Sequence, residues 1–213
     1  MRFRPAAALS GLLMFVALAV PAFTSSPAAA AACPDVEVVF ARGTGEPPGI
    51  GSVGNAFVSS LRSQMPGKSV GTYGVSYPAS YNFLAATTGA NDASGHLQDM
   101  ANKCPDTKLV LGGYSQGAAV VDIVTAAPVG GVGFTRPLPP DVADHVAAVA
   151  VFGNPSDHLG GVLSSLSPQY TAKTIDLCTG GDPVCSNGNT WSAHTGYVPT
   201  MTTQAARFVA ARV

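Results

Sequence analysis

Charged residues are scarce in this chain, and no run of basic residues occurs. Lys and Arg together number 11 and Asp and Glu 12 among 213 residues, which is 11% of the chain. Binding to a phosphate backbone requires clustered positive charge, so we do not expect a nucleic-acid partner. The low charge and the 46% content of hydrophobic residues favour a compact protein that tolerates apolar surface.

Long apolar runs of the kind that span a membrane are also missing. The apolar stretch at residues 9–20 is too short, because a spanning helix needs about 20 residues. Arg2 and Arg4 precede this stretch and small residues follow it up to Ala32, which is the pattern of a secretion signal. Removal of the signal leaves nine basic and twelve acidic residues, a net charge near −3.

We therefore expect a signal peptide at residues 1–32 and a single domain at residues 33–213, long enough for a hydrophobic core. The alternative is a lipid-anchored N-terminus, because Cys33 directly follows the small residues, although the leucine typical of such signals is missing. The mature protein is then secreted, either free or associated with the cell wall. We expect a monomer without stable membrane insertion.

Cysteine is infrequent, and its spacing does not favour a zinc site. The four cysteines are Cys33, Cys104, Cys178 and Cys185, and none of them forms a C-x-x-C pair. An even number of cysteines in an exported chain predicts two disulfides. Three pairings are possible, and the spacing favours a long Cys33–Cys104 loop and a short Cys178–Cys185 loop.

The segment at residues 49–54 has the form G-x-G-x-x-G but lacks a feature of dinucleotide sites. Such sites place an acidic residue about 20 positions later to bind the ribose. No Asp or Glu occurs between Glu46 and Asp92, and Pro47 and Pro48 displace the motif from the preceding strand. We interpret these glycines as a loop and a helix start, and we expect neither an organic cofactor nor a metal.

Strand patterns and helix patterns alternate along the chain. Strands are predicted at residues 36–41, 69–77, 108–111, 145–152 and 170–177, and helices at residues 52–65, 92–102, 118–124 and 198–212. The alternation predicts an α/β protein with a parallel sheet covered on both faces and a site beyond the carboxyl ends of its strands. Residues 130–141 are rich in Gly and Pro, which predicts an exposed loop too short to form a lid.

The most informative motif is Gly-Tyr-Ser-Gln-Gly at residues 113–117, between two apolar runs. A strand before the motif and a helix after it are the context of a nucleophile elbow. The turn strains the serine backbone and leaves no room for side chains two positions away. Ser115 is therefore the candidate nucleophile, with an ordinary glycine-rich turn as the alternative.

A serine nucleophile needs a base, which in turn needs an orienting carboxylate. In α/β-hydrolases the chain order is serine, acid and then histidine. His96 precedes Ser115 in a helical segment and is interpreted as a surface residue, whereas His145 and His158 come too early. His194 is the candidate base because it lies in a Gly/Asn-rich loop just before the last predicted helix.

Asp182 is the candidate acid because it follows the last predicted strand, between Cys178 and Cys185. A small disulfide loop would hold it rigidly, which suits a residue that fixes the tautomer of an imidazole. Asp176, within the strand pattern, and Asp157, in an earlier turn, are the competitors.

Acyl transfer also needs hydrogen-bond donors for the developing oxyanion. The backbone N–H of Gln116, which follows the nucleophile, is one candidate. The loop after the first strand, residues 42–47, contains Thr44, whose N–H and hydroxyl are both available donors. A purely structural turn is the alternative for Thr44.

Three segments of the chain contain candidate site residues: FARGTGEP at residues 40–47, PDTKLVLGGYSQG at residues 105–117 and CTGGDPVC at residues 178–185. These segments resemble the cutinase family, in particular the small secreted cutinase-like proteins of actinobacteria. The resemblance implies a minimal α/β-hydrolase with a five-stranded parallel sheet flanked by helices and no lid. It also implies a triad of Ser115, Asp182 and His194, an oxyanion hole from Thr44 and Gln116, and both disulfides named above.

Fungal members of the family differ at one of these positions, because they have serine where Thr44 stands. Threonine has a more restricted χ1, which weakens the expected role of its hydroxyl. An asparagine steadies the oxyanion residue in the fungal enzymes, but local similarity around Asn82 is too low to assign it that role.

These inferences predict a secreted serine esterase that hydrolyses carboxylic esters through an acyl-enzyme, with an ester or a lipid as substrate. A phospholipase or an acyltransferase with the same triad is one alternative. A secreted binding protein without catalytic activity is the other.

Overall fold

The computed structural model describes Met1 and residues 33–126, 133–159 and 167–213, without the side chains of residues 157 and 159. The rest of the predicted signal peptide and the first part of the predicted loop at 130–141 lie outside the described residues. Cys33–Val213 group into one compact unit. None of the described helices is both long enough and apolar enough to cross a bilayer.

The described residues form a parallel sheet of five strands. The strands are β1 (Val36–Ala41), β2 (Val70–Gly74), β3 (Lys108–Tyr114), β4 (Val146–Phe152) and β5 (Thr174–Leu177). Their spatial order is β2-β1-β3-β4-β5, with all neighbours parallel. The three central strands are almost completely buried, as expected when helices cover both faces. The predicted α/β fold is confirmed.

Helices pack on both faces because side chains alternate along each strand. The main ones are α1 (Gly51–Gln64), α2 (Ala85–Lys103), α3 (Gln116–Ala126) and α7 (Thr200–Ala210). Val39 of β1 belongs to the core that includes α2 and α3. Val38 and Phe40 belong to the core under α1 and α7. The sheet thus separates two hydrophobic cores.

Some predicted boundaries are wrong, mainly where a short helix adjoins a strand. His145 ends helix α4 (Pro140–His145) and does not begin β4. The proline at the start of α4 has the φ that a first helical turn requires. The predicted strand at 170–177 begins only at Thr174, because the one-turn helix α5 (Pro168–Thr171) precedes it. A single turn is too short to produce a recognisable helical period.

His96 is not the surface residue that the sequence predicted. Its ring stacks on Tyr73 with 3.6 Å between the ring centroids. Its Nε2 lies 3.3 Å from Oε1 of Glu37, which is itself buried in β1. The helical pattern of α2 shows that one face is buried, but it does not reveal that a carboxylate of the sheet lies opposite His96.

Both disulfides join the cysteines that the spacing favours. The Cys33–Cys104 bond connects the residues before β1 with the end of α2. The Cys178–Cys185 bond closes a short loop after β5. The two bonds therefore lie at opposite ends of the sheet.

We expect the Cys33–Cys104 bond to contribute more to stability than the Cys178–Cys185 bond. It closes a loop with a sequence separation of 71 residues, against 7 for the other. On the chain-entropy account, replacing Cys33 and Cys104 by serine should lower the free energy of unfolding by about 4 kcal/mol. The corresponding change for Cys178 and Cys185 is about 2.5 kcal/mol. Urea denaturation of both double variants measures the difference, and equal losses would contradict this explanation.

Candidate active site

Ser115 lies at the tip of a sharp turn between β3 and α3. Its φ of 56° lies in the left-handed region, which non-glycine residues rarely adopt. A Cβ on Gly113 would lie 2.1 Å from the carbonyl oxygen of Gly117, and one on Gly117 would lie 1.9 Å from that of Ala41. Glycine is therefore required at both positions, because α3 passes directly against β1 and β3.

The turn is anchored so that the serine side chain faces the carboxyl end of the sheet. The N–H of Ser115 donates to the carbonyl of Phe152, the last residue of β4, at 2.9 Å. Helix α3 begins at Gln116, so its first N–H groups and the positive end of its dipole directly follow the serine. This is a favourable place for negative charge to develop.

Ser115, His194 and Asp182 form a continuous hydrogen-bonded row. The distance from His194 Nε2 to Ser115 Oγ is 2.9 Å, and that from His194 Nδ1 to Asp182 Oδ2 is 2.7 Å. Because Nδ1 donates its proton to the carboxylate, Nε2 is left as the acceptor for the serine hydroxyl. His194 is the last residue of the one-turn helix α6 (Trp191–His194) and not a loop residue as predicted.

The carboxylate of Asp182 is fully buried and bonded at both oxygens. Oδ1 accepts the N–H of Val184 at 2.7 Å, and Oδ2 accepts the hydroxyl of Tyr197 at 2.5 Å in addition to the His194 N–H. Burial by itself raises the pKa of Asp182, but these hydrogen bonds outweigh it and hold the pKa below its usual range. The group therefore stays ionised beside the imidazole.

Asp176, one of the two competing acids predicted from the sequence, does not contact His194 in the described atoms. Oδ2 of Asp176 accepts a hydrogen bond from Asn154 Nδ2 at 3.0 Å. The same amide donates to Asp122 of α3 at 3.2 Å, so Asp176 faces a different buried polar cluster. The side chain of Asp157 lies outside the described atoms.

His145 and His158, which the sequence excluded as the base because they come too early in the chain, lie apart from the row. His158 is exposed, and its Nε2 lies 3.1 Å from the carbonyl of Pro183 in the disulfide loop. His145 ends α4, at the opposite end of β4 from its carboxyl terminus.

Thr44 and Gln116 are adjacent, as an oxyanion pair would be. The Thr44 hydroxyl donates to Gln116 Oε1 at 3.3 Å, and Gln116 Nε2 donates to the carbonyl of Ser80 at 2.8 Å. The buried side chain of Gln116 therefore links the loop after β1 with the loop after β2. The side chain of Asn82 accepts the N–H of Leu84 at 3.2 Å. Among the described residues it forms no hydrogen bond with Thr44.

Two charged residues whose role the sequence did not reveal, Arg42 and Glu46, shape the loop around Thr44. Buried Arg42 donates to the carbonyls of Glu46 and Tyr77, both at 2.8 Å. Glu46 accepts the N–H groups of Gly43 and Ser52, both at 2.7 Å, through its two carboxylate oxygens. A basic residue directly after a buried strand was the available signal, but the sequence does not identify its partners.

The second missed residue is Tyr197, which contacts Asp182 from the segment after α6. The sequence placed this tyrosine near the predicted last helix, without any motif to connect it to the acid. A buried hydroxyl needs a partner, but its choice among several buried groups is a matter of tertiary packing.

A serine on a strand–helix turn, followed along the chain by an aspartate and a histidine at late strand ends, defines the α/β-hydrolase class. The family model described as Cutinase matches residues 32–213, and the chain therefore belongs to the cutinase family.

Curated relatives are similar over most of the chain. Phospholipase Culp4 of Mycobacterium tuberculosis is 68% identical over 188 residues, which cover 88% of this chain and 83% of the relative. Probable carboxylesterase Culp3 of the same species is 56% identical over 210 residues, which cover 97% of this chain and 79% of the relative.

Solved structures agree with this assignment. Trichoderma reesei cutinase in complex with a C11Y4 phosphonate inhibitor has a TM-score of 0.68 and 33% identity, over 83% of this chain and 75% of that chain. The catalytic core of acetyl xylan esterase from the same fungus has a TM-score of 0.74 and 27% identity, over 85% and 100%. This chain is a serine esterase, a hydrolase of carboxylic esters.

Opening the short disulfide should lower turnover, because Asp182 lies inside the loop that Cys178 and Cys185 close. A carboxylate displaced by about 1 Å holds His194 less well, and we expect kcat to fall about tenfold or more. The serine double variant at Cys33 and Cys104 is the matched control, because that bond lies at the other end of the sheet. Steady-state hydrolysis of a soluble ester, measured well below the melting temperature of each variant, should give a lower kcat for the Cys178 and Cys185 variant than for the control. Equal kcat values would contradict a role for the short loop in holding the acid.

Proposed function

We propose that Ser115, His194 and Asp182 are the nucleophile, the base and the orienting acid of this esterase. The observation that carries the proposal is the unbroken hydrogen-bonded row from Asp182 through His194 to the Ser115 hydroxyl. Ser115 is 8% exposed, so part of the residue remains accessible to solvent.

The chemistry then follows in two half-reactions. Nε2 of His194 takes the hydroxyl proton while Ser115 Oγ attacks the ester carbonyl carbon. The imidazolium returns the proton to the departing alcohol, which leaves an acyl-enzyme on Ser115. Water attacks the acyl carbon with His194 again as base, and the imidazolium then returns the proton to Ser115 Oγ as the carboxylic acid departs. Asp182 stabilises the imidazolium in both steps and remains ionised.

Gln116 and Thr44 supply the donors for the oxyanion in this proposal. As the first residue of α3, Gln116 has an N–H without an intrahelical acceptor. Thr44 lies beside it, with its hydroxyl within hydrogen-bond distance of the Gln116 side chain. Buried Arg42 and half-buried Glu46 bond to the backbone of the Thr44 loop and hold it in place before substrate arrives. Such preorganisation is what makes oxyanion donors effective.

We further propose that the substrate ester is presented at an apolar surface. On one side of the site, Tyr81, Phe83 and Leu84 are 90%, 53% and 69% exposed, next to the carbonyls that accept from Gln116. On the other side, Trp191 is 68% exposed and meets the His194 ring edge-on at 5.9 Å. Exposed apolar groups concentrated at a site of this kind indicate contact with an apolar partner.

The rim of the site carries no formal charge in these two segments. Residues 76–84 and residues 183–199 contain no Lys, Arg, Asp or Glu. A neutral apolar rim suits acyl chains better than a charged head group. The proposed substrates are therefore acyl esters such as triglycerides, and selectivity for a particular head group is not expected.

A phospholipid substrate is the second candidate, because a relative with 68% identity is named Phospholipase Culp4. The same chemistry would cleave an acyl ester of the phospholipid and release a fatty acid. Fatty-acid release from phosphatidylcholine vesicles, compared with a triglyceride emulsion at equal acyl concentration, distinguishes the two. With methanol added, release of methyl esters in place of acid would instead favour an acyltransferase.

We propose that the chain is exported and works as a monomer outside the cell. The secretion-signal pattern of residues 1–32 and the two disulfides support export. Mass spectrometry of protein from the culture medium identifies the mature N-terminus, and gel filtration with light scattering gives the oligomeric state.

Replacing Ser115 with alanine should abolish ester hydrolysis, with a fall in kcat of about 10³-fold or more, because the attacking oxygen is lost. Ser63, an exposed serine of α1, provides the matched Ser63→Ala control with unchanged activity. A fluorophosphonate probe should label the wild type and the control at Ser115, and it should not label the Ser115→Ala variant. Labelling at any other serine would rule out the assigned nucleophile.

Introducing serine at both Phe83 and Leu84 should weaken action at a lipid surface. Each exposed apolar side chain that enters an apolar phase contributes about 1.5 kcal/mol, so the loss of both should lower hydrolysis of emulsified triglyceride about a hundredfold. Hydrolysis of a short soluble ester is the internal control and should change little. An equal loss on both substrates would show that the two side chains support the site itself and not surface binding.

A further inference from the structure

The hydrogen-bonded row has a fourth member that no motif of the sequence indicates. Tyr197 is completely buried, and its hydroxyl donates to Oδ2 of Asp182 at 2.5 Å. The same oxygen accepts the Nδ1–H of His194 at 2.7 Å. Two donors therefore share one carboxylate oxygen, and one of them belongs to the base.

The hydroxyl proton of Tyr197 has a defined direction. Its oxygen accepts the backbone N–H of Thr179 at 3.3 Å. The disulfide sulfur of Cys185 also lies 3.3 Å away, but the carboxylate of Asp182 is much closer and is the stronger acceptor, so the proton points to Asp182. Burial and the neighbouring carboxylate raise the pKa of Tyr197, which keeps the phenol protonated at every pH at which an esterase is assayed. Tyr197 is thus a permanent donor and does not exchange roles with Asp182.

The ring of Tyr197 is held in place by aromatic neighbours. It makes edge contacts with Tyr114 at 5.7 Å, Phe152 at 6.0 Å and His194 at 6.4 Å. A small residue is needed at Gly153, because a Cβ there would lie 3.0 Å from both the Tyr197 hydroxyl and Cε1 of His194. The hydroxyl can therefore be removed without removing the packing of the ring.

We propose that Tyr197 is a positioning residue that acts through Asp182, fixing the carboxylate and withdrawing part of its negative charge from His194. This inference rests on the proposed triad. A carboxylate that already accepts a strong hydrogen bond attracts an imidazolium less strongly. Tyr197 thereby lowers the share of the Asp182 charge that acts on His194.

Other titratable groups near the row do not duplicate this contact in the part of the chain that the structure describes. The Tyr114 hydroxyl donates to the backbone carbonyl of His194 at 2.7 Å and not to the carboxylate. The remaining groups on neighbouring elements are bonded to other partners; they are Glu46 after β1, His158 after β4 and Asp176 in β5.

The test is the pH profile of kcat/KM for the Tyr197→Phe variant. Loss of the hydroxyl leaves more negative charge facing His194, so the acid limb of the profile should move to higher pH by about half a unit or more. Tyr114→Phe is the matched control, because it removes a hydroxyl beside the same histidine without touching Asp182. Its acid limb should stay where the wild-type limb lies.

A double variant shows whether Tyr197 acts through the carboxylate. If it does, Tyr197→Phe should reduce kcat/KM in the wild type but cause no further loss in an Asp182→Asn background. The inference is overturned if Tyr197→Phe leaves the acid limb unmoved or moves it to lower pH. It is also overturned if Tyr197→Phe lowers kcat/KM in the Asp182→Asn background by as much as in the wild type. Probe labelling of the wild type at Ser115 is checked first, because its failure would overturn the proposed triad and not the role of Tyr197.

A second measurement keeps the hydroxyl and the fold intact, and it applies if Tyr197→Phe does not fold. Protein grown with 3-fluorotyrosine has more acidic phenols, which are stronger donors. The acid limb should then move to lower pH, opposite to the effect of Tyr197→Phe. The same labelling in the Tyr114→Phe background removes the other tyrosine beside His194, and the shift should persist. Absence of the shift there would contradict the proposal.

Discussion

The site depends on keeping one negative charge inside the protein. Asp182 has no contact with solvent, yet its carboxylate must remain ionised for His194 to hold its proton on Nδ1. Burial by itself raises the pKa of the group, and hydrogen bonds from donors on both of its oxygens lower the pKa below its usual range. These donors come from Val184 inside the disulfide loop, from the proposed base His194 and from Tyr197. The short disulfide and the aromatic packing around Tyr197 therefore belong to the chemistry as much as to the fold.

The parallel sheet brings the remaining parts of the site to one edge. Loops that follow β1, β3 and β5 all leave the sheet at its carboxyl end, which is why residues from distant parts of the chain meet there. The site also requires helix α3 to approach strand β1 closely. Gly117 lets α3 pass against the carbonyl of Ala41, which brings the start of that helix next to the loop that carries Thr44. A side chain at position 117 would separate the nucleophile from the proposed oxyanion donors.

Three charged side chains lie around the site, whereas two segments at its rim carry no formal charge. Arg42, Glu46 and Asp182 are placed around the site, where each is bonded to backbone groups or to the base. The rim segments at 76–84 and 183–199 carry no formal charge and expose aromatic and aliphatic side chains. Polar groups beneath and apolar groups above are consistent with an enzyme that receives acyl chains from an apolar surface.

The sequence by itself determined the parallel α/β fold, the strand–helix turn at Ser115 and the cysteine pairs. These features depend on local patterns, such as buried valine runs and glycines at fixed offsets. One-turn helices such as α5 have no period to detect, so their presence appeared only in the structure. The sequence favoured Asp182 over Asp176 as the acid, and the tertiary structure brings Asp182 to His194. Tertiary structure alone decided that Tyr197 bonds to Asp182 and that Arg42 bonds to the loop around Thr44. The reason is physical: a buried polar group must find a partner, but which partner it finds is set by side-chain directions across elements that are distant in the chain.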